Sequence, residues 1–346
     1  MDLLRALVRT ARMARHTSRL AAGLPADDEV LLDAPDERLG PVLVAAGRGE
    51  YAAAAKLLAT TREAAEWENR DRYALRLAAF AQARDAWLRA WESTAPHDPD
   101  MLLLKAELAV ARGSRSPARV ELLREAGPLI AAATEGEPRD PVPWRIALDH
   151  ARGTGLGHTG FERLWAEAVR RSPHHYGCHV SALRYLAAAC CARWADTPHT
   201  SRCSHRECFD FAERAAEDAL PGSLVRALPV RAAFAYFTEG GGTVPRARLD
   251  AAADGAIALS AEYAPGDPWP AEVRNLLTYV LVRLERWPDA LAQLRMIGPY
   301  ATSFPWDHVS DDPLGQFLQL RDGVRLEVAC SIPLRARPER SPRAGG

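Results

Sequence analysis

The chain has 346 residues, 48% hydrophobic and 26% charged, with 44 basic against 45 acidic side chains and a net charge of −1. Such a composition excludes fibrous, collagenous and wholly disordered chains; the length allows two or three domains or one array of repeats, and the near-zero charge gives no overall field to attract nucleic acid. Alanine (65 residues) and arginine (42, against only Lys56 and Lys105) dominate, a bias that points to a GC-rich bacterial genome rather than to an activity.

Residues 1–22 read as a basic amphipathic helix, since Arg5, Arg9, Arg12, Arg15 and Arg19 fall on adjoining turns with Leu3, Leu4, Leu7, Val8 and Leu20 partly opposite. The recurring arginines interrupt the apolar run that an export signal needs, so no export is expected. Six carboxylates follow between Asp27 and Glu37. Compensation of the arginines by this acidic linker is favoured over an anionic lipid surface or an acidic partner, and the two pieces are taken together as segment 1–37.

From 38 to 328, Ala/Leu-rich stretches alternate with short Pro, Gly and Asp punctuation, and alternating β-branched runs are nearly absent. This predicts helices and almost no sheet. Starts are read at Asp98 to Asp100, Asp140-Pro141, Pro221-Gly222-Ser223 and Asp267-Pro268, because Pro is tolerated in a helix's first turn and Asp or Ser caps it. Stops are read at Gly49, Gly113, Gly153 and Gly240. Pro96, Pro138 and Pro173 stand 42 and 35 residues apart, and Ala-Arg-Gly recurs at 111–113 and 151–153. Those periods belong to helical-hairpin solenoids.

Two stretches carry a more direct likeness. Gly49, Tyr51, Ala54 and Leu58 keep the Gly-x-Tyr-x-x-Ala-x-x-x-Phe spacing of the tetratricopeptide consensus, and Leu277, Trp287, Ala290 and Leu294 keep much of it. The chain thus resembles divergent tetratricopeptide-like repeats, and the expected fold is an all-α superhelical solenoid of antiparallel helix hairpins. Around 140–235, Phe161, Trp165, Ala168 and Pro173, then Ala192-Arg193-Trp194, Ser204-His205, Phe209 and Phe211-Ala212 follow a second pattern. It resembles an uncharacterised bacterial family of helical, tetratricopeptide-like domains with an Arg-Trp-Gly-Ser element between two helices. That resemblance implies a fold and no activity. Here Ala195 to Cys203 interrupts the Arg-Trp to Ser link, which the family closes within a residue or two.

His174, His175, Cys178, His179, Cys190, Cys191, His199, Cys203, His205 and Cys208 place half the histidines and five of six cysteines within 35 residues. Four such donors can form a tetrahedral zinc site, and the vicinal pair Cys190-Cys191 can serve redox sensing. No Cys-x-x-Cys pair occurs, and of the histidines only His175 and His179 align on one helix face, so packed or surface roles are favoured. The clustering is that of reduced thiols in a cytosol, not of a disulfide framework. Gly155 to Gly160 spells G-x-G-x-x-G, but a helical segment precedes it where a dinucleotide fold needs a strand, so it is read as a turn. His205-Arg206-Glu207 lacks the Pro-Cys-x-x-Cys partner of zinc deaminases. With no P-loop, nucleophile elbow or paired-carboxylate pattern, neither a cofactor nor catalysis is expected; the alternative is an enzyme or a metal- or redox-dependent regulator centred on 174–208. No apolar run approaches 18 residues, so no transmembrane segment is expected. Residues 329–346, rich in Pro, Gly and Arg, are expected to form a disordered basic tail.

The function this favours is a cytoplasmic scaffold whose inner groove holds a protein or peptide segment. In a hairpin solenoid the first helix of each pair lines the concave face. The polar and aromatic residues beside the apolar stripes of those helices, Trp144, Arg145, Arg184, Asn275 and Tyr279, are the expected peptide contacts, with packing or solvated roles as the alternative.

Overall fold

The computed structural model describes residues 20–116, 118–196, 205–240 and 243–331; the side chains of Arg115 and of 189–196 are outside the description. The N-terminal arginine helix up to residue 19, most of the 195–203 loop, the side chains of Arg193 and Trp194 and the tail from 332 onward therefore lie outside the described residues. Those described form sixteen α-helices, a few 3-10 turns and two strands of two residues each.

Contacts divide the chain into two units. The division falls after Asp33, in the linker of segment 1–37, and after Glu262, within the array expected from 38 to 328. The larger unit, Ala34–Glu262, begins with α1 (Leu39–Gly47), α2 (Ala52–Glu63), α3 (Trp67–Ala83), α4 (Ala86–Thr94), α5 (Pro99–Arg115) and α6 (Arg119–Gly136). It continues through α7 (Val142–Thr154), α8 (His158–Arg171), α9 (Tyr176–Asp196), α10 (Arg206–Asp218), α11 (Leu228–Glu239) and α12 (Arg246–Ser260). The expected starts have their expected chemistry: Asp98 Oδ1 accepts from the Asp100 and Met101 amides at 2.8 and 3.3 Å, and Asp140 Oδ1 accepts from Val142 N–H at 2.8 Å. Ser223 Oγ does the same for Val225 at 3.3 Å, ahead of α11.

Two of the four glycine stops are corrected. Gly49 follows α1 and Gly240 ends α11, but α5 runs through Gly113, and α7 runs through Gly153 to Thr154 before Gly155 turns the chain at φ +67°. The glycines of the repeated Ala-Arg-Gly serve packing instead. A Cβ on Gly113 would stand 2.9 Å from Leu123 Cδ2, and one on Gly153 would stand 2.6 Å from Leu123 Cδ1, so the missing side chains make room for one fully buried leucine of α6. Gly155 to Gly160 is the turn and first helical residues between α7 and α8.

Successive helices pack in pairs, α5 on α6, α7 on α8, α10 on α11, and the first helices also pack in series, α3 on α5, α5 on α7 and α7 on α9. The tetratricopeptide-like positions are buried or stacked: Ala54 and Leu58 are buried, and Tyr51 stacks on Trp91 with centroids 5.8 Å apart. The series then draws together. The N-terminus of α9 reaches that of α3, where Glu68 Oε1 accepts from Tyr176 N–H at 2.7 Å and Gly177 leaves room for the Asp71 carboxylate. The faces of α3, α5, α7 and α9 expected to border an open groove meet one another here.

The smaller unit joins 20–33 to 263–331. It contains α13 (Ala271–Arg283), α14 (Trp287–Ile297), α15 (Ser303–Val309) and α16 (Pro313–Ser331), with β1 (Leu31–Leu32) paired in parallel to β2 (Tyr300–Ala301). α13 begins three residues after the expected Asp267-Pro268, because Asp267 Oδ1 first closes a turn onto Trp269 N–H at 2.8 Å. Two carboxylates of the acidic linker serve this unit. Asp27 pairs with the buried Arg321, and Asp33 Oδ2 accepts from Ser303 Oγ at 2.6 Å. Among the described residues no helix is long and apolar enough to cross a membrane.

Candidate functional site

Where α3, α5, α7 and α9 meet, the interior is ionic. Arg70, 1% exposed, holds Asp100 at 2.6 Å and Asp140 at 2.5 Å, and donates to Leu58 O at 2.9 Å. Beside it Arg145, 3% exposed, contacts Asp71 at 2.8 Å, Glu107 at 2.6 Å and Asp149 at 3.4 Å; Ser181 Oγ donates to Asp149 at 3.0 Å. Burial pushes the Glu107 carboxyl up from its ordinary range, opposed by Arg145 and reinforced by Asp149 and Asp71. Asp140 is raised by burial against the pull of Arg70. Charges removed from water in this way are tolerable only because each has a partner.

The five expected contact residues fall in both units, three in the larger and two in the smaller. Arg145 lies in the ion cluster just described. Trp144 is half-buried under Arg171, whose guanidinium carbon sits 4.2 Å from the ring centre, and Arg184 is exposed on α9. In the other unit Asn275 is 0% exposed: it donates to Ala271 O at 2.8 Å and to Tyr300 O at 3.3 Å, and accepts from Trp306 Nε1 at 2.8 Å. Tyr279 is half-buried beside Trp306 and accepts from Arg283 at 3.2 Å. Helical period places a residue beside an apolar stripe; it does not say whether solvent or another helix faces it, and for Arg145 and Asn275 the answer is the interior.

The Cys/His cluster is dispersed. His175 Nδ1 accepts from Cys178 N–H at 3.2 Å, which puts the ring proton on Nε2, 3.3 Å from Trp67 O. The Cys178 thiol faces Pro141 O at 3.6 Å, and burial pushes its pKa up, away from a reactive thiolate. His205 Nε2 lies 2.7 Å from Gly240 O, with its ring edge-on to Tyr236, and Cys208 is buried. Among the described residues no group of three or more His, Cys, Asp or Glu is arranged to hold a metal ion. The side chains of Cys190, Cys191, His199 and Cys203 lie outside the description.

His174 and His179 instead border a cleft of about 270 Å³ between α8, α9 and α10. Its walls are Trp165 and Val169 from α8 and Phe211 and Ala215 from α10; Pro173 lies at its edge, and Arg214 and Asp218 are exposed at its mouth. Trp165 stands edge-on to both His179 (centroids 5.0 Å) and Phe211 (5.4 Å). Residues 211, 214, 215 and 218 recur at helical spacing, so one face of α10 supplies aromatic, small and charged groups together. Arg214 and Asp218 are one turn apart, yet neither has an ion-pair partner among the described residues.

His179 is the buried polar group of the cleft. Its Nδ1 lies 3.0 Å from His175 O, and since a carbonyl can only accept, Nδ1 carries the proton. Nε2, without a hydrogen-bond partner among the described residues, keeps its lone pair for the cleft. Burial, opposed by the bond to His175 O, pushes His179 down to about 4. The ring is neutral at physiological pH. Sequence reasoning singled out Trp165, Phe211, His174 and His179 for other reasons and missed Arg214 and Asp218, whose signal was their shared face with Phe211. No known protein family, curated protein or solved structure was found to match this chain, so the chemistry of the cleft carries the functional reading.

Proposed function

We propose that this chain is a non-catalytic, tetratricopeptide-like scaffold of a bacterial cytosol, and that the cleft between α8, α9 and α10 anchors an aromatic side chain of a protein or peptide partner. The observation that carries this reading is the cleft's build: apolar and aromatic walls, a His179 Nε2 that no described residue engages, and at the mouth Arg214 and Asp218, neither with an ion-pair partner among the described residues. Ligand sites commonly combine an apolar lining with a few placed polar groups in this way. The pairwise and serial packing of helices supports stacked hairpins. Because the first helices close on one another around Arg70 and Arg145, the binding surface is assigned to the flank of the array and not to its inner face.

Peptides selected by display against the full chain test the proposal. Trp165→Ala and Phe211→Ala should each weaken their binding at least about tenfold, as loss of an aromatic anchor does, with the far-ultraviolet circular dichroism unchanged. Failure to select any binder, or selected peptides indifferent to both changes, would overturn it.

A further inference from the structure

A cleft walled only by Trp165, Val169, Phe211 and Ala215 would accept any apolar ring. His179 adds a demand. Its Nδ1 proton is fixed on His175 O at 3.0 Å, so the ring cannot flip its tautomer without losing that bond, and Nε2 can meet a ligand only as an acceptor. A ring that fills the cleft without a donor would desolvate Nε2 and leave it unpaired, which a site built to hydrogen-bond penalises. Phenylalanine, leucine and methionine have no donor; tryptophan has an indole N–H and tyrosine a phenol O–H. Among the described residues Arg214 has no carboxylate partner, and it can close over the outer face of a bound ring, where a guanidinium is attracted to the π system.

We infer that the cleft selects a tryptophan or tyrosine side chain of the partner segment, donating to His179 Nε2, and rejects phenylalanine. The inference rests on the reading of the cleft as a peptide anchor and adds the identity of the anchor. The side chain is assigned to a peptide, whose flanking backbone can run across the exposed face of α10 that carries Arg214 and Asp218, and free tryptophan is the probe that tests this assignment.

The test uses the full chain and four blocked pentapeptides, acetyl-Gly-Gly-X-Gly-Gly-amide, with X being tryptophan, tyrosine, phenylalanine or 1-methyltryptophan, titrated by calorimetry; free tryptophan is a fifth probe. The tryptophan and tyrosine peptides should bind at least about tenfold more tightly than the other two, the fold-change of one buried hydrogen bond left unmade. Tryptophan and its methyl derivative share ring and shape, so this contrast needs no altered protein. In ¹⁵N-imidazole spectra the tryptophan peptide should move the unprotonated nitrogen of His179 and leave Nδ1 in place. His179→Phe should abolish the discrimination. Equal binding of tryptophan, phenylalanine and 1-methyltryptophan peptides would overturn the inference and leave the peptide-anchor reading standing. Free tryptophan binding as tightly as its peptide would overturn the assignment to a partner segment, and no binding by any probe would overturn both readings.

Discussion

His179 donates its Nδ1 proton to the carbonyl of His175, four residues earlier on α9, at 3.0 Å, and this bond fixes which nitrogen the cleft sees. Burial of the same ring, which this bond only partly offsets, makes stability depend on pH. The folded ring titrates at about 4 against an ordinary value of 6.5, so between those values the unfolded chain takes up a proton that the folded chain refuses. The contribution is complete above about pH 6.5 and is lost progressively as pH falls toward 4, on the order of 3 kcal/mol. Denaturant melts of wild type and His179→Gln across pH 4 to 7.5 check this. The wild-type minus variant difference should fall with pH; parallel curves would refute it.

The two Ala-Arg-Gly glycines give a paired prediction. Alanine normally stabilises a helix interior relative to glycine by about 1 kcal/mol, and Gly255→Ala on α12, where a Cβ meets nothing within 4 Å, should follow that rule. Gly153→Ala places a methyl 2.6 Å from Leu123 Cδ1 in a filled interior. It should destabilise by about 1–3 kcal/mol through overpacking. Urea denaturation of both variants, with Leu123→Ala added to Gly153→Ala to relieve the overlap, separates the two effects.

Arg145→Met retains bulk but strands Asp71, Glu107 and Asp149 in the interior. The expected loss is about 3–5 kcal/mol, the cost of uncompensated buried charge. Calorimetric unfolding is the measurement, and a variant as stable as wild type would show that the cluster's carboxylates are already protonated or hydrated.

Asn275→Leu removes the acceptor of Trp306 Nε1 and both donors to backbone oxygens in the smaller unit. A loss of about 1–3 kcal/mol is expected from the buried groups left unpaired. The exposed Arg163 on α8, changed to Ala, should shift stability by no more than about 0.5 kcal/mol. Thermal melts of the two variants give the comparison directly.

Local chemistry was readable from the residues alone. Asp98 and Asp140 announce helix starts because a cap and its amides are two or three residues apart, and Ala54 and Leu58 announce a buried stripe because period 3.6 is a property of one helix. Gly113 and Gly153 were visible as a repeat but misread as stops, since the reason for each is Leu123 on a third helix. Period alone places Arg145 and Asn275 beside apolar stripes, yet what covers those stripes depends on how neighbouring helices turn toward them, and both side chains are buried. The cleft was half legible. Trp165, Phe211, His174 and His179 stood out by type, whereas Arg214 and Asp218 are ordinary helix-surface residues until α8 and α9 come alongside.

Arg70 finds its carboxylates at positions 100 and 140, and the amide that Glu68 accepts from belongs to residue 176. An emerging chain therefore completes the contacts of α3 in stages: Arg70 meets Asp100 first, Arg70–Asp140 and Asp71–Arg145 close over separations of 70 and 74 residues, and the Glu68 hydrogen bond waits for 108. In a simple repeat array each hairpin is complete once its neighbour arrives. Here the high sequence separation of the ionic contacts makes residues 67–181 one folding event, slow to nucleate and exposed to misassociation while it waits, so a fragment cut at any hairpin boundary before 176 should fail to fold, however intact its helices look in sequence.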